Sequence, residues 1–116
     1  MSYNAVIASG STNGKPIQVS GIASGSENTI HTAHATDIDI ITIYATNTDA
    51  TTVDLTVAIG TTATDGELIV DAIPIEANTT MIPIIIKHRI TGGVTITAFA
   101  SVTNKINITC DVDRIS

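Results

Sequence analysis

The chain has little of what most enzymes and nucleic-acid-binding proteins are built from. It has no tryptophan, two tyrosines and one phenylalanine, so aromatics make up 3 % of its 116 residues. A sequence this poor in aromatics lacks the stacking platforms that bind sugars. It has five basic residues, Lys15, Lys87, Arg89, Lys105 and Arg114, against eleven acidic ones, for a net charge of −6. A phosphate-binding face needs clustered Lys and Arg, which excludes nucleic acid as an expected partner. Charged residues total 14 %, well below the usual quarter. A single cysteine, Cys110, excludes an intrachain disulfide. No apolar run is long enough to span a membrane as a helix. The start, Met1-Ser2-Tyr3-Asn4, has no basic stretch followed by an apolar one, so synthesis in a cytoplasm is expected, whatever the final location.

What the chain does have is isoleucine and threonine, 21 and 20 residues, over a third of the total. Both are β-branched, lose side-chain freedom in helices and pack well on a pleated sheet. The core must be aliphatic, and the fold is expected to be all-β. A domain of this size buries roughly two-thirds of its unfolded surface, enough for one core without disulfide support.

Strand candidates follow one another at the spacing of a sandwich or barrel. Residues 1–28 are rich in Gly, Ser and Asn, with turn signals at Ser9-Gly10-Ser11 and Asn13-Gly14. Short strands are expected at 5–8 and 16–19. This segment is expected to be either a loosely packed arm or a pair of edge strands, with the main domain over 29–116. Further strands are expected at 29–35, 38–46, 52–59, 68–75, 80–88, 94–100 and 105–112. In 52–59 the alternation is clean: Val53, Leu55, Val57 and Ile59 on one face, Thr52, Asp54 and Thr56 on the other. Val53, Leu55, Val57, Ile96, Ile106 and Ile108 are the expected core, and Cys110 shares the parity of the last two. Asp37 and Asp39 share a parity with Ile41 and Ile43, which predicts a bulge or sheet edge near Ile40. The run 82–86 is apolar on both faces, as in a strand covered on both sides. The whole predicts an antiparallel β-sandwich of jelly-roll type, with an immunoglobulin-like sandwich as the competitor.

Motifs with chemistry are few. His31 and His34 are three apart and would face opposite sides of a strand, a poor start for a zinc site. They are expected at the surface or an interface. The carboxylate pairs Asp37/Asp39, Asp65/Glu67 and Asp111/Asp113 have the i, i+2 spacing that shares a strand face; only Asp65-Gly66-Glu67 hints at the glycine-tight loop of a calcium site, and solvated or interface charges are expected. Gly21-Ile22-Ala23-Ser24-Gly25 resembles a nucleophile elbow only in spelling, because no strand–turn–helix surrounds it. No enzyme activity, metal or cofactor is expected.

Several stretches carry a resemblance. They are 43–49 (Ile-Tyr-Ala-Thr-Asn-Thr-Asp), 53–60 (Val-Asp-Leu-Thr-Val-Ala-Ile-Gly), 73–80 (Ile-Pro-Ile-Glu-Ala-Asn-Thr-Thr), 94–101 and the closing 107–115. From about Asp37 onward this pattern of hairpins and corners resembles small structural proteins of tailed-phage virions, the capsid decoration or cement proteins. The resemblance implies a jelly-roll-like module that sits on a capsid as a dimer or trimer and bridges capsomers. Its partner would be the major capsid protein and its location the capsid surface. Ile82, Ile84, Ile86, Asp111, Asp113 and Arg114 are the expected interface residues, the last three through ion pairs between subunits. The alternative is a head fibre, tail or adhesion module that binds a host surface glycan.

Overall fold

The computed structural model describes residues 2–64 and 66–116. These form nine strands: β1 (Tyr3–Ile7), β2 (Ile17–Val19), β3 (Asn28–Thr32), β4 (Ile38–Asn47), β5 (Val53–Ile59), β6 (Leu68–Ile75), β7 (Ile82–Ile90), β8 (Thr95–Ala100) and β9 (Ile106–Ile115). Every pairing is antiparallel. Sheet A has the order β1-β9-β4-β7, with β2 also on β9; sheet B has the order β3-β8-β5-β6. Since β4 flanks β9 from Ile106 to Ile115, β1 and β2 share its other edge end to end.

The pairings are nested. β5 pairs β6, β4 pairs β7, β3 pairs β8, and β1 and β2 pair β9. The chain is thus one long hairpin folded over on itself so that alternate rungs fall in opposite sheets, the topology of a jelly roll. Four loops meet at one end of the sandwich, 20–27, 48–52, 76–81 and 101–105. They are tied by Ala100 N–H to Gly21 O (3.0 Å), Thr48 N–H to Lys105 O (2.9 Å) and Asn78 N–H to Asp49 O (3.1 Å).

The core between the sheets is aliphatic. Val53, Leu55, Val57, Ile96, Ile106 and Ile108 are all fully buried, joined by Ile30, Ile41, Ile43 and Ile75. Thr56, Ala58 and Thr97 face the other way, yet they too are buried. The loops after β2 and β5 cover that side of sheet B. Thr97 Oγ1 donates to Gly60 O at 2.7 Å, and the Glu27 carboxylate accepts the N–H groups of Gly25 and Ala63. Burial raises the Glu27 pKa, but these backbone donors outweigh it and the net shift is downward.

Two expectations change on contact with this architecture, and one open alternative is resolved. First, β4 runs against β9 without interruption from Ile38 to Asn47, so no bulge on that side relieves Asp39. Asp39 lies on the core face because it has buried partners, and Asp37 precedes the strand. Second, the run 82–86 is not a strand covered on both faces. β7 is the edge of sheet A, and its pairing to β4 slips between Ile41 and Ile43 and again between Ile43 and Tyr44. Each slip reverses the alternation, so Ile82, Ile84 and Ile85 all pack against the core while Ile86 is exposed. Of the two readings of residues 1–28, the pairing agrees with the edge strands: β1 and β2 are sewn onto β9 in sheet A, with Ala8 and Val19 in the core.

Candidate functional site

The densest polar cluster is buried, and it begins at a bulge. The β3–β8 register slips between Thr29 and His31, so the adjacent residues Ile30 and His31 both turn inward. His31 is 1 % exposed and Asp39, opposite it on β4, is 0 % exposed. His31 Nε2 lies 2.7 Å from Asp39 Oδ2. Arg114, directly across from Asp39 on β9, forks onto the same carboxylate: Nε to Oδ1 at 2.7 Å and Nη2 to Oδ2 at 3.0 Å. The backbone N–H of His34 adds a fourth donor at 3.2 Å. Burial raises the Asp39 pKa, but the hydrogen bonds from Arg114, His31 and His34 outweigh it and hold the carboxyl down from 3.8 to about 2.

The other side of the imidazole fixes its tautomer. Ser9 N–H donates to His31 Nδ1 at 3.0 Å, so Nε2 carries the proton given to Asp39. Ser9 Oγ accepts the N–H of Thr32 at 2.7 Å, and Gly10 N–H donates to Ile30 O at 3.0 Å. Gly10 is required by this approach, since a Cβ there would stand 2.2 Å from Thr29 O. Ser9, His31 and Asp39 therefore contain the residue types of a nucleophilic triad in an arrangement that cannot act as one. The acceptor nitrogen of His31 faces a backbone amide instead of the serine hydroxyl, and the ring is sealed from substrate. The cluster instead ties β3 of sheet B to β4, β9 and the corner after β1.

A second feature opens where β1 leaves the edge of β9 and before β2 joins it. The loop 8–16 stands off the sheet there and encloses a cleft of about 150 Å³, walled by Val6, Ile7, Ser11, Lys15 and Thr109 to Asp111. Cys110 is partly buried in this wall, short of the full burial its parity predicted. Burial, with the charges of Asp111 and Asp39, pushes its thiol up to about 12, so it stays protonated and unreactive at neutral pH. Thr109 Oγ1 is buried with no hydrogen-bond partner among the described residues.

The remaining predicted positions separate. Arg114 turns to the core face and is engaged within the chain by Asp39. Asp111 and Asp113 are exposed on the opposite, outer face of sheet A. Ile82 and Ile84 pack on the core, and Ile86 is 67 % exposed. His34 lies beyond β3, its Nδ1 accepting the N–H groups of Thr36 and Asp37. Asp65 is outside the described residues; Glu67 Oε1 accepts the Thr64 hydroxyl at 3.0 Å. No group of three or more His, Cys, Asp or Glu side chains suited to a metal occurs among the described residues. The chain matches no protein-family model, and neither a similar curated protein nor a similar solved structure was found.

Proposed function

We propose that this chain is a structural subunit of a virion, a decoration module that binds the outside of an assembled phage capsid and bridges neighbouring capsomers of the major capsid protein. The observation that carries the proposal is the loop end of the sandwich. Ile22, Met81 and Val102, on three separate loops there, are 57 %, 56 % and 37 % exposed. Loops on a rigid scaffold are where binding surfaces sit, and these present aliphatic side chains without aromatic rings or clustered charge. Such contacts suit a flat protein surface better than a glycan or a nucleic acid. The glycan alternative draws no support from the aromatics. Tyr3 and Tyr44 are on sheet A and Phe99 on sheet B, so no platform of rings forms.

Binding of this kind works by mass action. A ligand with affinity for the assembled shell and none for dissociated subunits shifts the equilibrium toward the shell. A subunit that touches two capsomers gains from the effective concentration of the second contact, so each contact can be weak. The test is co-sedimentation with undecorated capsids, comparing the intact protein with Ile22→Asp and Met81→Asp. The expected result is binding by the intact protein and its loss in both variants, with their circular dichroism unchanged. Failure of the intact protein to sediment with shells, or undiminished binding by the variants, would contradict the proposal.

A further inference from the structure

The outer face of sheet A carries charge in a pattern that matches itself. Ile40 on β4 is paired to Asp113 on β9 and to Arg89 on β7, so the three form one row across the sheet. Asp39 and Ile41 point into the core, which puts this row on the outer face. One step along, Thr42 is paired to Asp111, and its Oγ1 accepts the N–H of Lys87 at 3.2 Å. The face thus has an acidic strip on β9 and a basic strip on β7, level with each other and about 10 Å apart, two strand spacings. Asp111, Asp113, Lys87 and Arg89 are all exposed, and none makes an ion pair among the described residues.

We propose that this face is a dimer interface and that its occupant is a second copy of the chain. A two-fold axis along β4, in the plane of the contact, lays β9 of each copy over β7 of the other and keeps the level along the strands unchanged. Asp113 then meets the partner's Arg89 and Asp111 meets the partner's Lys87, each pair twice, as an isologous contact requires. A partner of one charge sign would be repelled by one of the two strips. The same operation carries β1 past the partner's β7. Ile7, paired to Asp111 and 59 % exposed, comes level with Ile86, 67 % exposed and next to Lys87. A face four strands wide and ten residues long offers about 600 Å² per copy, at the lower end of what a stable pair buries. Its charge pairs lie at a solvent-accessible face, so added salt weakens the dimer. It goes beyond the shell-binding proposal and does not depend on it, since the exposed loop residues lie elsewhere.

The test is a charge exchange on the full chain, read by sedimentation equilibrium at low and high salt. Wild type is expected to dimerise. Arg89→Asp and Asp113→Arg should each weaken the dimer by about tenfold or more, as close charge pairs at interfaces do. The variant carrying both should recover it. Lys87→Glu with Asp111→Lys provides a second, independent exchange should the first pair disturb folding by circular dichroism. A monomeric wild type, an association indifferent to the single reversals, a trimer, or double exchanges that stay dissociated would overturn the proposal.

Discussion

Arg114 and Asp39 face each other across β9 and β4 in a two-pronged contact, at 2.7 Å and 3.0 Å, with the carboxylate fully buried. A buried carboxylate is tolerable only when paired and hydrogen-bonded. Asp39→Asn removes the charge but leaves the guanidinium without its counter-ion. Arg114→Met does the reverse and strands the carboxylate. Each single change should cost about 3–5 kcal/mol in urea unfolding. Because the two residues share one contact, the pair Asp39→Asn with Arg114→Met should cost less than the two singles added together.

The same carboxylate sets an acid limit. Its pKa is 3.8 unfolded and about 2 folded, so the folded state favours the ionised form. Its contribution is complete above the unfolded pKa and fades as pH falls from 3.8 through about 2. The amount is about 2 kcal/mol. Urea midpoints measured down through this window should fall for the wild type, and the fall should be distinctly shallower in Asp39→Asn.

Cys110 should behave as a protected thiol. With its pKa at about 12 in place of 9.0, the native protein holds far less thiolate than the unfolded chain at any pH near neutrality. Reaction with a disulfide reagent at mildly alkaline pH should be about 100-fold slower in native protein than in urea, or slower still. Equal rates would place the thiol in solvent.

Removing residues 2–25 should unfold the domain. The cut deletes β1 and β2, the buried Ala8 and Val19, the Ser9 amide that His31 accepts, and Gly10, which lies against β3. Loss of the β-sheet circular dichroism signal is the expected outcome. A folded truncated domain would mean that the pairing to β9 is dispensable.

Much of this architecture is legible in the sequence, because the alternation of isoleucine and valine with threonine is strict where a strand has one buried face. β9 shows this most clearly, and its inward Ile106, Ile108 and Val112 are in the core. The pattern fails at slips of register. Ile30 and His31 are both buried through a bulge in β3, and alternation alone assigns His31 to the surface. In β7 two slips turn an apolar run inward that a regular strand would split between two faces. Asp39 is misread for another reason. Its parity with Ile41 is correct, but its partner Arg114 lies 75 residues away in the chain, and only the β4–β9 pairing brings them together. The charge match of Asp113 with Arg89 is hidden likewise, since it depends on which strands flank β4.

As proposed, the protein stabilises an assembled shell by binding it. The direct measurement is the temperature at which undecorated capsids come apart, followed by light scattering over a series of added protein concentrations. Binding confined to the intact shell predicts a dissociation temperature that rises with concentration until the sites are filled, and no such rise with Ile22→Asp. A dissociation temperature that stays constant at every concentration would contradict it.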